Sequence, residues 1–482
     1  MVNAYTTPGF NLEEIPKLPS SIAAVDNAVP IFIGYTQKAE KNQPGDLDFV
    51  ATQITSLLEY EEYFGIMNDE LITINISDEL AQEGKVVSFI SRDIQVHIRA
   101  SKNIMYYQLQ LFFANGGGVC YVVSTGRLKS SVSKRSLKKG LDAVHNVVDQ
   151  ALIIFPEGIN LTKAEDLYSL YNEALMQSYN LKNRFVIMDI SKNVPPGEDE
   201  IDFFRTNVTG NNIPDSLKYG AAYYPTLITT MLYRYIDSSV VVDHITNTRR
   251  KGKSDVKGKG EFNKITLSEI FLKNNILYTA IKNEIAKFTV TLPPCAAIAG
   301  AYNTIDNYYG VWKAPANVRL NNVNLPSVAI SDEEQSQLNI DLNAGKSINA
   351  IRNFVGKGTL VWGARTMAGN DNEWRYISVC RFSMMVENSI RKAIDAFIFE
   401  PNNYTTWTTI KNLADNFLTE QWKNGALQGI KPAEAFFVHV GLGETMTEQD
   451  ILDGKMIVEI GIAAIRPAEF IIINIMVLMQ SN

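Results

Sequence analysis

The sequence has few of the residues that build metal centres, disulfide frameworks or redox sites. It contains three cysteines and four histidines in 482 residues. Cys120, Cys295 and Cys380 lie far apart and form no C-x-x-C pair, so we expect them to be small apolar core residues. The histidines are scattered as well, which favours structural or surface roles over metal binding. The sequence therefore predicts no metal and no cofactor.

Long apolar runs and an excess of positive charge are also missing. The strongest apolar run, residues 470–479, is interrupted by Asn474 and is much shorter than the ~20 residues of a membrane helix. The first residues, MVNAYTTPGF, lack the basic start and apolar stretch of a signal peptide. With 45 basic and 52 acidic residues, the net charge of −7 argues against a nucleic-acid-binding protein. We expect a chain that is made and folded in the cytoplasm, without direct membrane insertion.

No convincing catalytic or nucleotide-binding motif occurs. Two G-K-S triplets, at 252–254 and 345–347, lack the earlier glycine of a phosphate loop, because Asn247 and Ile340 stand there. The Gly441 and Gly443 pair lacks the third glycine of a dinucleotide fingerprint, since Met446 occupies that position. We expect no catalytic residues, and a cytoplasmic α/β enzyme is the alternative.

Strand and helix signals alternate from about residue 105. Apolar segments at 28–35, 118–124, 151–155 and 184–190 predict short buried strands. Between the last two, Thr162 and Glu165 predict the capping box of a helix. Strands separated by helices of this length imply a parallel sheet with helices on both sides, so the predicted fold class is α/β. An α+β part follows toward the C-terminus.

Three stretches do not fit this alternation. The first ~20 residues, punctuated by prolines, predict an extended arm. Residues 40–100 predict an insertion with its own small structure. Residues 246–264 are glycine-rich and contain seven basic side chains, which predicts a solvated loop. A contact of this loop with phosphate or an anionic surface is the alternative.

The second half contains further helix and strand signals. Thr266 with Glu269 predicts a second capping box, and Ser331 with Glu334 the start of another helix. Apolar residues predict strands at 456–461 and 470–479. The predicted buried positions of three helices are Ile276, Leu277, Ala280 and Ile281 in the first, Phe382, Met385, Val386, Ser389, Ile390, Ala393, Ile394 and Phe397 in the second, and Trp407, Ile410, Leu413, Phe417 and Leu418 in the third.

A series of short motifs runs through the chain in a fixed order. The N-terminal part contains TPGF (7–10), EEIP (13–16), AVPIFIGY (28–35) and NGGG (115–118). The second half contains LPPCAAIAG (292–300), GVWKAPAN (310–317), NAIR (349–352), VWGART (361–366), WRYI (374–377), FEPN (399–402), GALQG (425–429), TMT (445–447) and RPAEF (466–470). This order closely resembles the tail sheath family of contractile phages, phage-like extracellular injection systems and R-type tailocins.

The resemblance implies how the chain is divided. It implies an α/β sheath core, a C-terminal α+β part, extended arms at both ends and a variable outer insertion. The implied parts are an N-terminal linking arm (1–22), a first core strand with a variable insertion (23–104), an α/β sheath domain (105–235), a variable basic loop and helix (236–290), a conserved-type C-terminal sheath core (291–462) and a C-terminal strand or linking arm (463–482).

The resemblance also implies a function and partners. Sheath relatives stack as six-membered rings in a helix around an inner tube, and contraction drives the tube through a target envelope. The implied partners are further copies of the chain, the inner tube protein, and baseplate and terminal cap proteins, with no nucleic acid. A phage, an extracellular injection system and a type VI-like apparatus stay open, as does a paralogous sheath protein. Assembly in the bacterial cytoplasm is implied. The alternative is a tube or baseplate component of the same machine.

Two sets of contact residues are implied. The arms are expected to complete a small sheet in neighbouring subunits by strand addition. A helix over 405–423 is expected to touch the tube through side chains outside its apolar stripe. The arm residues are Pro8, Gly9, Phe10, Glu13, Glu14, Ile15, Glu469, Phe470, Ile472, Asn474 and Met476, and the tube-facing residues are Lys411, Asp415, Glu420 and Lys423.

Further positions carry alternatives. Trp312, Trp362, Trp374 and Trp407 are expected to be large anchors, with ordinary core packing as the other interpretation. Residues 40–100 and 236–290 are expected on the outer surface and dispensable for contraction. Two arginines, Arg365 and Arg466, are expected to pair with carboxylates such as Glu400 and Glu469, within one subunit or across a junction.

Overall fold

The protein is described from a computed structural model. The structure describes Pro19 and residues 21–25, 29–83, 85–128, 131–147, 150–250 and 254–469. The chain divides into two units, each of which combines segments that are distant in sequence. One unit comprises residues 28–308 and 315–377, and the other comprises residues 1–27, 309–314 and 378–482.

Nineteen strands are formed by the described residues. In chain order, they are β1 (Val29–Thr36), β2 (Thr52–Ile54), β3 (Leu71–Glu83), β4 (Val86–Arg99), β5 (Cys120–Arg127), β6 (Ala151–Ile154), β7 (Arg184–Asp189), β8 (Gly220–Tyr224), β9 (Leu227–Leu232), β10 (Val241–Arg250), β11 (Val256–Lys259), β12 (Ile265–Thr266), β13 (Thr289–Leu292), β14 (Val318–Arg319), β15 (Val323–Pro326), β16 (Ile348–Phe354), β17 (Gly358–Val361), β18 (Phe436–His439) and β19 (Glu459–Ile462).

Thirteen α-helices and four 3₁₀ turns lie within the same described part. The helices are α1 (Leu57–Phe64), α2 (Met105–Ala114), α3 (Lys134–Ala143), α4 (Ala164–Leu181), α5 (Glu200–Asn207), α6 (Leu267–Lys273), α7 (Asn275–Ile285), α8 (Cys295–Tyr309), α9 (Asp332–Asn339), α10 (Ile377–Ile394), α11 (Tyr404–Lys423), α12 (Pro432–Ala435) and α13 (Glu448–Leu452). The 3₁₀ turns are Gly158–Asn160, Pro214–Tyr219, Asp237–Ser239 and Asp395–Phe397.

A nine-stranded sheet forms the centre of the larger unit, in the order β14-β17-β16-β8-β7-β6-β1-β5-β2. The pairs from β16 through β8, β7, β6 and β1 to β5 are parallel, whereas β2, β17 and β14 pair antiparallel. Strands β1, β6 and β7 are buried along their whole length, as expected of strands that are covered on both faces. The predicted α/β class is confirmed.

Helices cover both faces of this sheet. On one face, Ile31, Ile153 and Val186 share a core with Leu137 of α3 and Leu167 of α4. On the other face, the strand residues between those facing α3 and α4 contact different helices. The Phe32 ring lies 5.2 Å from the Phe112 ring of α2, and the hydroxyl groups of Tyr223 and Tyr302 of α8 are 2.7 Å apart.

The predicted start of helix α4 is wrong. The helix begins at Ala164, its N-cap is Lys163, and no side chain caps it. Thr162 is exposed and lies one residue too early to serve as the cap. Glu165 and Asp166 still stabilise the start of the helix, because negative charge in the first turn interacts favourably with the helix dipole.

A second, five-stranded sheet shows that two distant segments fold together. Its order is β11-β10-β3-β4, with β12 also paired to β10. Helices α6 and α7 pack on it, and we call these five strands and two helices the small domain. The prediction that all of residues 40–100 form an insertion is wrong, because β2 pairs with β5 in the main sheet. Only β3 and β4 from that stretch belong to the small domain.

The basic stretch 246–264 is also not a simple loop. Its first part continues β10 to Arg250, and β11 pairs antiparallel with β10 from Thr248–Val256 to Ile245–Lys259. Two of its basic side chains form salt bridges with carboxylates of the sheet, Arg249 with Glu79 at 3.1 Å and Lys264 with Asp243 at 2.5 Å. Both basic side chains remain largely exposed, so the charged stretch can form strands without burying its charges.

The capping box of Thr266 and Glu269 is confirmed, but the helix after it is two helices. Asn274 ends α6 and caps α7, since its side chain accepts from the Leu277 amide at 2.9 Å. This break rotates the apolar stripe. Leu277 and Ile281 are buried, whereas Ile276, predicted as buried, is 87% exposed.

The smaller unit is built around α10 and α11. Phe382, Met385 and Ile390 of α10 and Ile410 and Phe417 of α11 share one core. The predicted stripes are confirmed, with Ala393, Ile394 and Trp407 half-buried at their margins. Strands β18 and β19 form a separate antiparallel sheet whose apolar side chains pack on this core. The three cysteines are buried and form no disulfide bond with one another, as expected of core residues.

Candidate assembly surfaces

Strands β18 and β19 form a sheet with open edges. Phe436 pairs with Ile462 and His439 with Glu459. The Ala463 amide donates to the Ala435 carbonyl at 2.8 Å. Every second residue counted from Ala435 is therefore hydrogen-bonded to β19, and the residues between them are not. The backbone groups of Val438 therefore point away from β19. In the described part of the chain, no third strand pairs with β18 or with Glu459–Ile462 of β19, although Leu427 forms an antiparallel bridge with Ala464 beyond the end of β19. A two-stranded sheet is marginal by itself and gains stability from added strands.

The face of this sheet that is turned from the core is tightly built. The Phe437 and His439 rings lie 4.9 Å apart, and Phe437 is 46% exposed. A Cβ at Gly461 would lie 2.1 Å from the Phe437 ring, so only glycine fits opposite this side chain. The sequence prediction found β19 but missed β18. The alternating FFVHV run between Pro432 and Gly441 was the signal that would have found it.

The end of the predicted N-terminal arm and the residues that follow it are fixed to the smaller unit. Ile22 is buried in the core of α10 and α11. The Val25 amide donates to the Ser389 hydroxyl at 3.0 Å. The arm residues Pro8, Gly9, Phe10, Glu13, Glu14 and Ile15 lie outside the described residues, as do Phe470, Ile472, Asn474 and Met476. Glu469 is the last described residue and is half-buried.

The four predicted tube-facing residues of α11 do not share one face. Lys411 and Asp415, one turn apart, are half-buried at the margin of the apolar stripe. Burial raises the pKa of Asp415, against the opposing effect of Lys411. Glu420 and Lys423 are exposed in the last two turns. The exposed face of the helix also contains Thr405, Asn412 and Asn416.

The four tryptophans that were predicted to be large anchors are half-buried. Each of them contacts another residue of the unit to which it belongs. The Trp362 ring lies 4.6 Å from Phe354, and the Trp312 ring 6.2 Å from Phe382. The Lys218 ammonium lies 4.1 Å above Trp374, and the Trp407 indole donates to Asn402 at 2.6 Å. Of the two arginines, Arg365 is buried and donates to the Gly369 carbonyl at 3.3 Å, whereas Arg466 is exposed.

The carboxyl edge of the parallel strands, where α/β proteins usually bind ligands, is occupied by the chain's own carboxylates. Glu157 follows β6 and accepts from the Met105 amide at 2.9 Å, at the start of α2. Asp189 ends β7 and accepts from the Cys295 amide at 3.0 Å, at the start of α8. Burial raises the pKa of Glu157 to about 8 and that of Asp189 to about 7. Both carboxyl groups serve as internal helix caps.

The comparisons with known proteins agree with this architecture. A model of the phage tail sheath C-terminal domain matches residues 369–477. A chain in the cryo-EM structure of the anti-feeding prophage baseplate is 28% identical, with a TM-score of 0.62, over 99% of this chain and 100% of that one. Along its whole length, the chain is therefore similar to the proteins of contractile tail sheaths and baseplates. No curated protein sequence matches it.

Two further sheath structures are similar along nearly the whole chain. A chain of the PVC sheath complex, from an extracellular contractile injection system in its contracted state, is 27% identical with a TM-score of 0.60, covering 99% of this chain and 98% of that one. A chain of the anti-feeding prophage helical sheath in its contracted state is 27% identical with a TM-score of 0.62, covering 99% and 100%. The resemblance to tail sheath proteins that the motifs predict is confirmed.

Two further observations concern metal sites and membrane-spanning helices. Among the described residues, no group of three or more histidine, cysteine, aspartate or glutamate side chains is placed to hold a metal ion. In the same part of the chain, none of the helices combines the length and the apolar character that crossing a bilayer demands.

Proposed function

We propose that this sheath protein polymerises as helically stacked six-membered rings around an inner tube and contracts to drive the tube through a target envelope. The observation that carries the proposal is the full-length similarity to sheath chains in the contracted state, at 27% identity. The two-stranded sheet of β18 and β19 supports it, because its open edges can accept strands from neighbouring copies.

In this proposal, the arms provide those strands. Residues 1–20 and 466–482 extend from the smaller unit and add to the β18–β19 sheet of neighbours. Main-chain hydrogen bonds then link rigid bodies through flexible connections, so subunits can repack during contraction without separating. No nucleotide, metal or catalytic residue takes part. The carboxylates at the edge of the main sheet, Glu157 and Asp189, fill positions where an α/β enzyme would bind its substrate.

The remaining partners follow from the same arrangement. The exposed face of α11, with Lys411, Asp415, Glu420 and Lys423 at its margins and end, contacts the inner tube. Baseplate and terminal cap proteins bind the ends of the cylinder. The small domain lies at the outer radius, where added mass does not block sliding. The particle assembles in the bacterial cytoplasm and then acts as part of a phage tail or tail-like injection particle.

A position beside the baseplate is a second candidate role. It is favoured by the similarity to a chain from a baseplate structure, at 28% identity. In this role, the protein forms the first sheath ring and a paralogous chain forms the rest. A chain that builds only one ring needs a template and does not form long cylinders alone.

Negative-stain microscopy of the purified, full-length chain tests both roles. The sheath proposal predicts striated cylinders with a central channel, in the contracted form when no tube is present. Single rings or short stacks that never elongate would favour the baseplate position. Amorphous material or stable monomers at high concentration would contradict both.

A further inference from the structure

One face of the small domain's sheet is covered along only half of its length. Ile72, Ile74 and Ile76 of β3 are buried against side chains of α6 and α7, such as Ile270 and Ile281. In the distal half of the 13-residue strand β3, Asp78 is the last buried residue and residues 79–82 are half-buried. The covered half therefore ends near the middle of the strand.

A buried ionic cluster marks this border. The Arg92 guanidinium donates to the Asp78 carboxylate at 2.6 and 2.7 Å, and His244 Nε2 lies 3.0 Å from the same carboxylate. Burial alone would raise the pKa of Asp78, but hydrogen bonds and charge from Arg92 and His244 lower it overall. Arg92 also lies 5.7 Å above the Phe89 ring, which places Phe89 on the same face, beyond the cluster.

Beyond the cluster, the same face contains a group of partly exposed apolar side chains, bordered by the hydrogen bond from Arg250 to Gln82 at 2.9 Å. The pairings place Val256, Thr248, Leu80 and Phe89 side by side across four strands. Val87 follows Phe89 on this face, since it pairs with Gln82, two residues after Leu80. Phe89 is 58% and Val87 53% exposed. We call this surface the bare sheet face. Its side chains are of the apolar type found in a protein core, but no helix of the same domain packs on them.

The same domain exposes the type of surface that would cover it. At the connection between α6 and α7, Leu272 is 82% and Ile276 87% exposed, with Phe271 beside them. We call these residues the helical corner. Within one chain, α6 and α7 already pack their other apolar side chains on the proximal half of this sheet. An apolar helix surface is therefore the natural complement of the bare sheet face.

We propose that the helical corner of one copy packs on the bare sheet face of the neighbouring copy. This inference rests on the self-assembly proposed above. The two surfaces lie on different elements, so the contact is head-to-tail and repeats from copy to copy, as ring and helical assemblies require. It does not drive contraction. It adds cohesion between outer domains of neighbouring subunits.

The small size of the two surfaces favours a second copy as the occupant. Each surface consists of a few apolar side chains, far fewer than the ~20–30 residues a side of a standard stable interface. Such a contact is too small to hold two free chains together. It forms between copies that other contacts already keep adjacent, because their effective concentration is high. It also separates readily when subunits move.

Cysteine cross-linking of assembled cylinders tests the contact. The chain that carries both Val87→Cys and Leu272→Cys is compared with each single variant under mild oxidation. The three native cysteines are buried, so they contribute little background. The proposal expects a ladder of covalent multimers from the double variant alone. Intact cylinders without a ladder, or equal cross-linking in a single variant, would overturn the contact while leaving the proposed function standing. Absence of cylinders from the parent chain would overturn both.

A charge substitution gives an independent measurement. Leu272→Glu together with Ile276→Glu keeps the fold, since both side chains are exposed, but places carboxylates against an apolar face. We expect cylinders that still form yet release a several-fold larger soluble fraction in moderate urea. Leu342→Glu, at a leucine that is 88% exposed elsewhere in the same unit, is the matched control and is expected to match the parent. Parent-like resistance of the double variant would overturn the contact.

Discussion

Ser389 of α10 accepts a hydrogen bond from the Val25 amide at 3.0 Å. Ile22, just before it in the chain, is buried against the same pair of helices. One polar and one apolar contact therefore fix the end of the predicted N-terminal arm and the residues after it. If a neighbouring subunit binds the arm as proposed, this fixed root transmits movement of one subunit to the next.

The first prediction concerns the two arms. Deletion of residues 1–20, or of residues 466–482, removes one of the proposed arms but retains Ile22 and Val25. We expect folded, soluble oligomers without long cylinders. Circular dichroism checks that the truncated chains remain folded, and sedimentation with negative-stain microscopy measures assembly against the full-length chain. Cylinders like those of the full-length chain, from either truncation, would contradict the arm assignment.

The second prediction concerns the tube contact of α11. Lys411→Glu together with Lys423→Glu reverses two charges on this helix without changing its buried stripe. Exposed ion pairs contribute about 0.2–1 kcal/mol each, so a weak contact becomes effective only through many copies along the tube. We expect impaired extended assembly on tubes and normal tube-free contracted sheaths.

The control for this experiment is Lys392→Glu, at an exposed position of α10. It changes net charge in the same direction and is expected to leave both forms intact. Equal loss of both forms in the α11 variant would show that the helix is needed for folding or for contacts between sheath subunits.

The third prediction compares Thr266 and Thr162, which occur in the same Thr-x-x-Glu sequence pattern. Thr266 caps α6, since its hydroxyl accepts from the Glu269 amide and the Glu269 carboxylate accepts from the Thr266 amide. Thr162 lies outside α4 and caps nothing. Thr266→Ala should therefore lower the free energy of unfolding of the small domain by about 1 kcal/mol, whereas Thr162→Ala should not change stability measurably. Hydrogen exchange of α6 and α4 amides measures both. Similar effects at the two positions would refute the assigned caps.

The comparison of Thr266 and Thr162 shows how far a local sequence pattern determines structure. Both threonines begin a Thr-x-x-Glu pattern, but only at Thr266 does the backbone place the threonine at the start of a helix. The strands and helices of the main sheet were predictable, because their apolar runs and helical spacing report burial directly. The small domain was not predictable as a unit. Its β3 and β10 pair in parallel although more than 150 residues separate them, and no local pattern encodes such a pairing.

The candidate surfaces were predictable to different degrees. The arms and their role came from motif resemblance, and the apolar stripe of α11 came from periodicity. The margins of that stripe did not, because only packing shows that Lys411 and Asp415 are half-buried. Ile276 of the helical corner was predicted as buried but is 87% exposed, at the start of a helix that begins after the break at Asn274. The alternation of isoleucines in β3 and β4 was visible in the sequence, and it would have predicted the long hairpin.

The last prediction concerns pH and Glu157. Burial raises the pKa of this carboxyl to about 8, against the effect of hydrogen bonds from the Met105 and Tyr35 amides. The ordinary value is 4.5, so between these values the folded chain holds a proton that the unfolded chain has released. The stability contributed by this proton is complete below the lower value and is lost as pH rises to the upper one. From pH 5 to pH 8, this group should lower the free energy of unfolding by up to about 4 kcal/mol.

Glu157→Gln tests this linkage. The amide stays neutral, and its carbonyl oxygen can still accept from the Met105 amide. We expect denaturant unfolding of the soluble, arm-truncated chain to show a weaker decline of stability from pH 5 to pH 8 in the variant. Part of the decline should persist, because burial raises the pKa of Asp189 and of Glu70 to about 7 with the same sign. Glu165→Gln, on the exposed side of α4, is the matched control and should keep the full slope. Equal slopes for Glu157→Gln and the parent would show that Glu157 is already ionised in the folded chain, with its charge satisfied by the helix α2 amides alone.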